Sequence, residues 1–199
     1  MEINKNDWME KYVNEIIDAV KQVGYEINKD WCFKACKMLT NAPMDMHYSE
    51  MPEDLFKVIY NNQNSIKDSI IKAFEIVADF SIEDNNLTTK LPIIPIAYFI
   101  YNRHLAYSRI SSPNIQLVYE DICIFLNRAL ATHLLESNAN EVLNVIKEIM
   151  DNTPVPTNTE KVKNYQAPKV EMNVQGVKVA GGCEIIYFPY DEIAQKYDL

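Results

Sequence analysis

The sequence contains only four glycines in 199 residues. Because tight turns rely on glycine, this shortage argues against an all-β or loop-rich architecture. The four cysteines are too few and too scattered for a disulfide framework, so we expect reduced thiols and a cytoplasmic protein. No apolar run reaches the length of a membrane-spanning helix, and the first residues lack the pattern of a signal peptide. We therefore expect no association with membranes.

The motifs of several enzyme classes are missing as well. The sequence has no P-loop, no G-x-G-x-x-G, no H-E-x-x-H and no G-x-S-x-G nucleophile turn. Its net charge of −9 disfavours contact between the chain as a whole and the phosphate backbone of DNA. We expect no cofactor, no metal site and no catalytic residue, and we leave open whether the chain contributes to an enzyme.

What the sequence does contain is one long segment without charge, residues 91–101. A helix that is apolar on every face has to be surrounded by other elements, and this one is too short to span a bilayer. We therefore predict that it is the buried central helix of a bundle. Thr88 or Thr89 would cap its start, Pro92 is tolerated in a first turn, and Pro95 marks either the true start or a kink.

Apolar residues at helical spacing predict further helices on both sides of this segment. Asp7 is the candidate N-cap of the first helix, and Gly24 would end that helix. Asn28 or Asp30 would cap the second helix. Asn138 would begin the last helix with a capping box. Before the central segment we predict helices over residues 8–23 and 31–39, followed by a short helix and a long helix that are separated at 61–64. After it we predict a helix that starts at 111–113 and a helix over 139–149. The fold class is thus mainly α, a bundle of about six helices over residues 1–151.

The composition changes after the bundle. Residues 152–168 contain three prolines among threonines and asparagines, which is typical of a linker. Residues 169–199 alternate apolar and polar positions and then turn helical, which predicts a small β-hairpin followed by a short helix as an appendage.

Several segments of the chain, in the same order, resemble the GmrSD-type modification-dependent restriction family of bacteria. They are WCFKACKMLT at 31–40, SIKDSIIKAFEIVADF at 65–80, LPIIPIAYFIYNR at 91–103 and VYEDICIFLNRALATHLLESNANEVLNVIKEI at 118–149. The ParB-like domain with the DGQQR motif that marks the family, and the His-Asn-His nuclease that many members carry, are missing here. The resemblance implies the helical middle of a longer protein, with both ends expected to be cuts relative to such relatives.

The resemblance also implies a function. It predicts a non-catalytic helical module of a phage-defence protein, which supports or regulates an NTP-dependent nuclease by packing against the ParB-like domain or by self-association. A contrasting hypothesis is a divergent nuclease or hydrolase whose active site is built from scattered histidines and acidic residues. A third is a stand-alone acidic binding or inhibitor protein.

The arginines offer a candidate binding site. The chain has only three, and they cluster around the central helix and the helix after it. Guanidinium groups suit bidentate contacts to carboxylate or phosphate, so one interpretation is a small anion-binding patch. The other is that the arginine stems lie at the rim of the core and the guanidinium groups pair with nearby acidic residues. The candidate binding residues are Arg103, His104, Tyr107, Arg109 and Arg128.

Other chemically capable residues have a simpler explanation. Cys32 and Cys36 share a helical face, but their apolar neighbours predict core cysteines rather than metal ligands. We interpret His47, His104 and His133 as surface or helix-end residues. The acidic residues of possible catalytic interest are expected at helix starts or on solvated faces, and they are Glu50, Glu53, Asp54, Glu120 and Asp121.

Overall fold

The structure is a computed structural model. It describes residues 4–47, 50–103, 105, 115–153, 171–174, 177–180 and 188–199, and of residue 115 and the two strand segments it describes the backbone alone. The described residues form eight α-helices, one short 3-10 helix and two short strands. The helices are α1 Lys5–Val23, α2 Lys29–Leu39, α3 Glu53–Asn61, α4 Gln63–Asp79, α5 Ile93–Asn102, α6 Ile115–Ala131, α7 Ala139–Asn152 and α8 Tyr190–Tyr197, with the 3-10 helix at Asp84–Asn86 between α4 and α5.

The mainly helical fold is confirmed, but the helix number was too low. Seven of the described helices, rather than about six, precede residue 153. The predicted break between a short and a long helix lies at Asn62, where the backbone leaves helical geometry (φ −110°, ψ 12°) and separates α3 from α4. The main-chain amide of Asn62 donates to the Val58 carbonyl oxygen at 3.1 Å, and its side-chain amide donates to the same oxygen at 2.8 Å, so Asn62 closes the end of α3.

The helix ends show which capping predictions hold. Gly24 ends α1 with a positive φ of 106°, as predicted, and Asn28 caps α2 by accepting from the Trp31 amide at 2.9 Å. The predicted cap Asp7 was wrong, since Asn4 caps α1 by accepting from the Asn6 and Asp7 amides. The predicted capping box at Asn138 was also wrong. That residue is left-handed (φ 54°, ψ 34°) and forms no side-chain cap bond, because a cap needs an extended backbone to aim its side chain at the helix.

Helix α5 is the buried centre that the sequence predicts. Every residue from Ile93 to Ile100 is buried, and the helix packs against α4, α2 and α7. Pro95 is the third residue of α5, where its missing N–H costs nothing because the first amides of a helix have no internal partner. None of the described helices has the length and apolarity that crossing a bilayer requires.

The C-terminal helix contributes to the same core. α8 packs against α6 and α7, and both Phe188, just before it, and Ile193, within it, are fully buried. The Phe188 ring lies 5.2 Å from the Phe99 ring and 5.5 Å from the Phe125 ring, between centroids. The division of the chain at residue 151 stays a prediction, but residues beyond it pack inside the bundle.

The two strands are Glu171–Val174 and Val177–Ala180. Their backbones pair antiparallel, with Glu171 opposite Ala180 and Val174 opposite Val177. Residues 175–176, which would form the turn, and most of the predicted linker lie outside the described residues, so the C-terminal β-hairpin stays a prediction.

Candidate functional site

The predicted anion patch is described only in part. Arg103 caps the C-terminus of α5, where its main-chain amide donates to the Phe99 carbonyl at 3.1 Å, and its side chain is exposed. Arg128 is exposed in the last turn of α6. His104, Tyr107 and Arg109 lie outside the described residues, and no ion pair of either arginine occurs among the residues that are described. The patch therefore stays a prediction.

A polar network does occur at the end of α5, next to Arg103. The buried Tyr98 hydroxyl donates to the Asp151 carboxylate, and Lys147 Nζ lies 2.6 Å from the other oxygen of Asp151. Lys147 Nζ also lies 5.3 Å from the centre of the Tyr98 ring, within reach of a cation–π contact. These contacts join the central helix to the last turn of α7. They also stabilise a carboxylate at a helix C-terminus, where the helix dipole disfavours negative charge.

The network keeps Tyr98 protonated. Burial raises the pKa of its phenol, and the hydrogen bond and negative charge of Asp151 raise it further, whereas Arg103 acts in the opposite direction. A phenol in this state is a hydrogen-bond donor and not a base. The network is therefore suited to fastening α5 to α7 rather than to moving protons.

A second candidate lies at the other side of the bundle, in a partly open cavity of about 220 Å³ that we call the Lys37 cavity. Its walls come from α2, from the loop after α2 and from Asn140 in the first turn of α7. Lys37 is only 9% exposed although it carries a charge. Its Nζ donates to the carbonyl oxygens of Met44 at 2.6 Å and Met46 at 3.1 Å. These two bonds hold the loop against the end of α2.

The charge of Lys37 is held by dipoles rather than by a carboxylate. Within the described part of the chain, no Asp or Glu oxygen lies within ion-pair distance of its Nζ. Burial lowers the pKa of Lys37, and the positive charge of Lys34 lowers it further, while Asp30 and Asp45 act more weakly in the opposite direction. An ammonium that has lost most of its water and has no counter-ion is costly unless other groups approach it.

Lys34 provides a second cation at the same cavity. Its Nζ lies 3.1 Å from Asn140 Oδ1 and 3.8 Å from Asp30 Oδ2, so it bridges α2 and α7. The cavity also receives Asp45 and His47 from the loop and apolar surface from Phe33 and several methionines. Among the residues described, this arrangement brings two lysines, two aspartates and one histidine to one small space.

The cysteines behave as the sequence predicts. Cys32 and Cys36 are both fully buried in the apolar core. Burial raises the pKa of both thiols, that of Cys36 to about 12, so neither forms the thiolate that binds metals or attacks electrophiles. No group of three or more potential metal ligands occurs among the residues that the structure describes.

The remaining candidates are mostly at the surface. His47 and His133 are exposed, and His133 Nδ1 lies 2.6 Å from Glu136 Oε1. Four of the five acidic candidates are exposed as expected, but Asp121 is only 7% exposed, so its predicted place on a solvated face was wrong.

The Lys37 cavity was not predicted from the sequence. Met44 and Met51 lie in the segment between α2 and α3, yet they are 1% and 4% exposed and pack into the core. The available signal was the spacing of Lys34 and Lys37, which lie three residues apart and hence on one side of α2. The methionines that follow α2 were the second signal, because loops seldom need large apolar side chains unless they are covered.

No protein-family model and no curated protein matches this sequence.

Proposed function

We propose that this chain is a non-catalytic helical module of a bacterial defence protein of the GmrSD-like type, and that it supports or regulates an NTP-dependent nuclease. The observation that carries this proposal is the composition of the bundle interior. Among the described residues, only Lys37, Ser69 and Asp121 are polar or charged and buried, and all other buried side chains are apolar apart from tyrosine, tryptophan and cysteine groups. Such an interior supports a scaffold, because catalysis needs several polar groups that converge on one protected space.

One of the segments that resemble the family is also the structural centre. Helix α5 contains the IIPIAYFIYN part of that motif and contacts three other helices. A motif in this position specifies packing. It is therefore consistent with the role of a structural module, in which the outer faces of the surrounding helices contact the partner.

The contact surface would be largely polar. Val58 on α3 and Ile124 on α6 are the large apolar side chains that the described surface exposes, at 42% and 43%. Exposed Arg128 follows Ile124 by one helical turn, so both lie on one side of α6, and this side of α6, rather than α3 with Val58, is the proposed contact surface. Non-obligate interfaces are about as polar as the rest of a protein surface, with isolated apolar and arginine anchors.

The proposal is tested with a DGQQR-motif protein from the same genome. The highly purified chain alone should hydrolyse no nucleotide and cleave no DNA, and it should form a complex with that protein in size-exclusion chromatography with light scattering. Ile124→Glu should weaken the complex without changing the melting temperature, and Val58→Glu on α3 serves as the matched surface control. Metal-dependent turnover by the chain alone, or no complex and no effect on the partner's nucleotide hydrolysis, would refute the proposal.

A hydrolase is the second candidate, and one observation favours it. His47, Asp30 and Asp45 all line the Lys37 cavity, and these residue types are able to support acid–base chemistry. If this were an active site, His47→Gln should abolish turnover of the purified protein while His133→Gln leaves it intact, since His133 is exposed and paired with Glu136.

A further inference from the structure

We infer that the Lys37 cavity is a binding site for a small organic acid in its singly charged carboxylate form. The inference is independent of the partner protein proposed above, because it concerns a cavity within this chain. It follows from the hydrogen bonds, the charges and the size of the cavity.

The first step concerns the hydrogen bonds of Lys37. An ammonium group has three N–H donors. Two of them go to the carbonyl oxygens of Met44 and Met46, at 2.6 Å and 3.1 Å, and the described residues supply no third acceptor. Because Lys37 also lines the cavity, one donor remains for a group bound there. A carboxylate oxygen is a strong acceptor for such a donor.

The second step concerns the positions of the charges. Lys34 and Lys37 bring two positive charges to the cavity wall, and Asp30 and Asp45 bring two negative ones. Asp30 lies 3.8 Å from Lys34, whereas no carboxylate pairs with Lys37 among the described residues. The four charges of the wall sum to zero, but none of its carboxylates lies within ion-pair distance of Lys37. A single negative charge bound beside Lys37 Nζ would therefore form the ion pair that the described wall does not supply. A polyphosphate or other multiply charged ligand would be repelled by the two aspartates.

The third step concerns size and polarity. The cavity of about 220 Å³ is smaller than the roughly 300–1,000 Å³ of sites for drug-sized ligands. Its apolar lining includes Phe33, Met46 and Met51. Methionine adapts to differently shaped apolar groups. The ligand is thus a carboxylate with a short hydrocarbon group.

The test compares butyrate with butyramide, which has the same shape but no charge. Ligand-observed NMR on the full chain should show saturable binding of butyrate and at least tenfold weaker binding of butyramide, and inorganic phosphate should not compete. Lys37→Met should abolish butyrate binding, while Lys29→Met, on the same helix but paired with Glu10 at the surface, should not. Equal binding of butyrate and butyramide, tighter binding of phosphate, or no binding of butyrate would overturn the inference.

Two further measurements separate a binding role from loop anchoring. Asn140→Leu narrows the cavity from α7 and leaves both bonds of Lys37 intact, so it should weaken butyrate binding with the loop still in place. In the unaltered chain, butyrate should raise the pKa of Lys37 as followed by nitrogen-15 NMR of the lysine side chains, because a bound anion favours the ammonium form. The groups around it that also titrate or carry charge are Lys34, Asp30, Asp45 and His47. If Lys37→Met fails to fold, these two results decide, and an unchanged pKa together with full binding by Asn140→Leu would overturn the inference.

Discussion

The burial of Phe188 makes a sharp prediction about the C-terminal part of the chain. Phe188 is 0% exposed, and its ring meets Phe99 of α5 edge-on at 5.2 Å and Phe125 of α6 at 5.5 Å. Phe188→Ala removes the ring that joins the central helix to α6. The cavity left behind lies between helices that the rest of the bundle holds in place, so it cannot close fully.

The expected loss follows from those contacts. Replacing a buried phenylalanine by alanine costs about 3–5 kcal/mol, and this figure already contains most of what the two aromatic contacts contribute. For a chain of this length, about 1 kcal/mol shifts the melting temperature by roughly 2–4 °C. Phe188→Ala should therefore lower the melting temperature by about 6–20 °C. The matched control is Phe80→Ala, because Phe80 is only half-buried and its one ring partner among the described residues, Tyr119, lies 6.4 Å away.

The measurement is urea denaturation followed by circular dichroism, with thermal melting as a second probe. Phe188→Ala should lose clearly more stability than Phe80→Ala. A chain that ends at residue 151 lacks Phe188. The helix pattern predicts that this chain folds cooperatively alone, but its Phe99 and Phe125 rings would be uncovered, so it should melt at a lower temperature than the full chain. A loss below about 1 kcal/mol for Phe188→Ala, or a truncated chain that melts like the full one, would show that the C-terminal helix docks without completing the core.

Three further predictions rest on single contacts. Arg103→Lys should change the free energy of unfolding by less than about 1 kcal/mol in urea titrations, because the side chain is exposed and has no ion pair among the described residues. A larger loss would show a bidentate contact that lysine cannot reproduce. Tyr98→Phe should cost about 1.5–3 kcal/mol in the same assay, since the phenol donates to the charged Asp151, and a neutral result would mean that this hydrogen bond contributes nothing. Asn28→Ala should lower stability by about 1 kcal/mol in thermal melts, because it removes the side-chain cap of α2. Asn138→Gly should leave stability unchanged or raise it, because Asn138 has a left-handed backbone and its side chain caps nothing. Equal losses of stability in the two variants would contradict this distinction.

The helical parts of this fold could be predicted well because they depend on local patterns. The absence of charge over residues 91–101 requires burial on every side, and α5 is buried accordingly. Gly24 and Asn28 act on backbone groups within a few residues of themselves, so sequence spacing predicts their roles. Asn138 has the same spacing as a capping residue, but the path of the preceding loop turns its backbone left-handed, and that path depends on where α6 and α7 pack.

The contacts between residues far apart in the chain are determined by the tertiary structure alone. Phe188 reads as one residue of a β-prone segment, and only the packing of α5, α6 and α8 makes it part of the core. Lys37 reads as one of many lysines on amphipathic helices. It becomes a buried cation because the loop after α2 folds back and presents two carbonyl oxygens, while α7 closes the other side of the cavity with Asn140. Local patterns determine which face of a helix is apolar, but the group that covers that face is determined by packing across the whole chain.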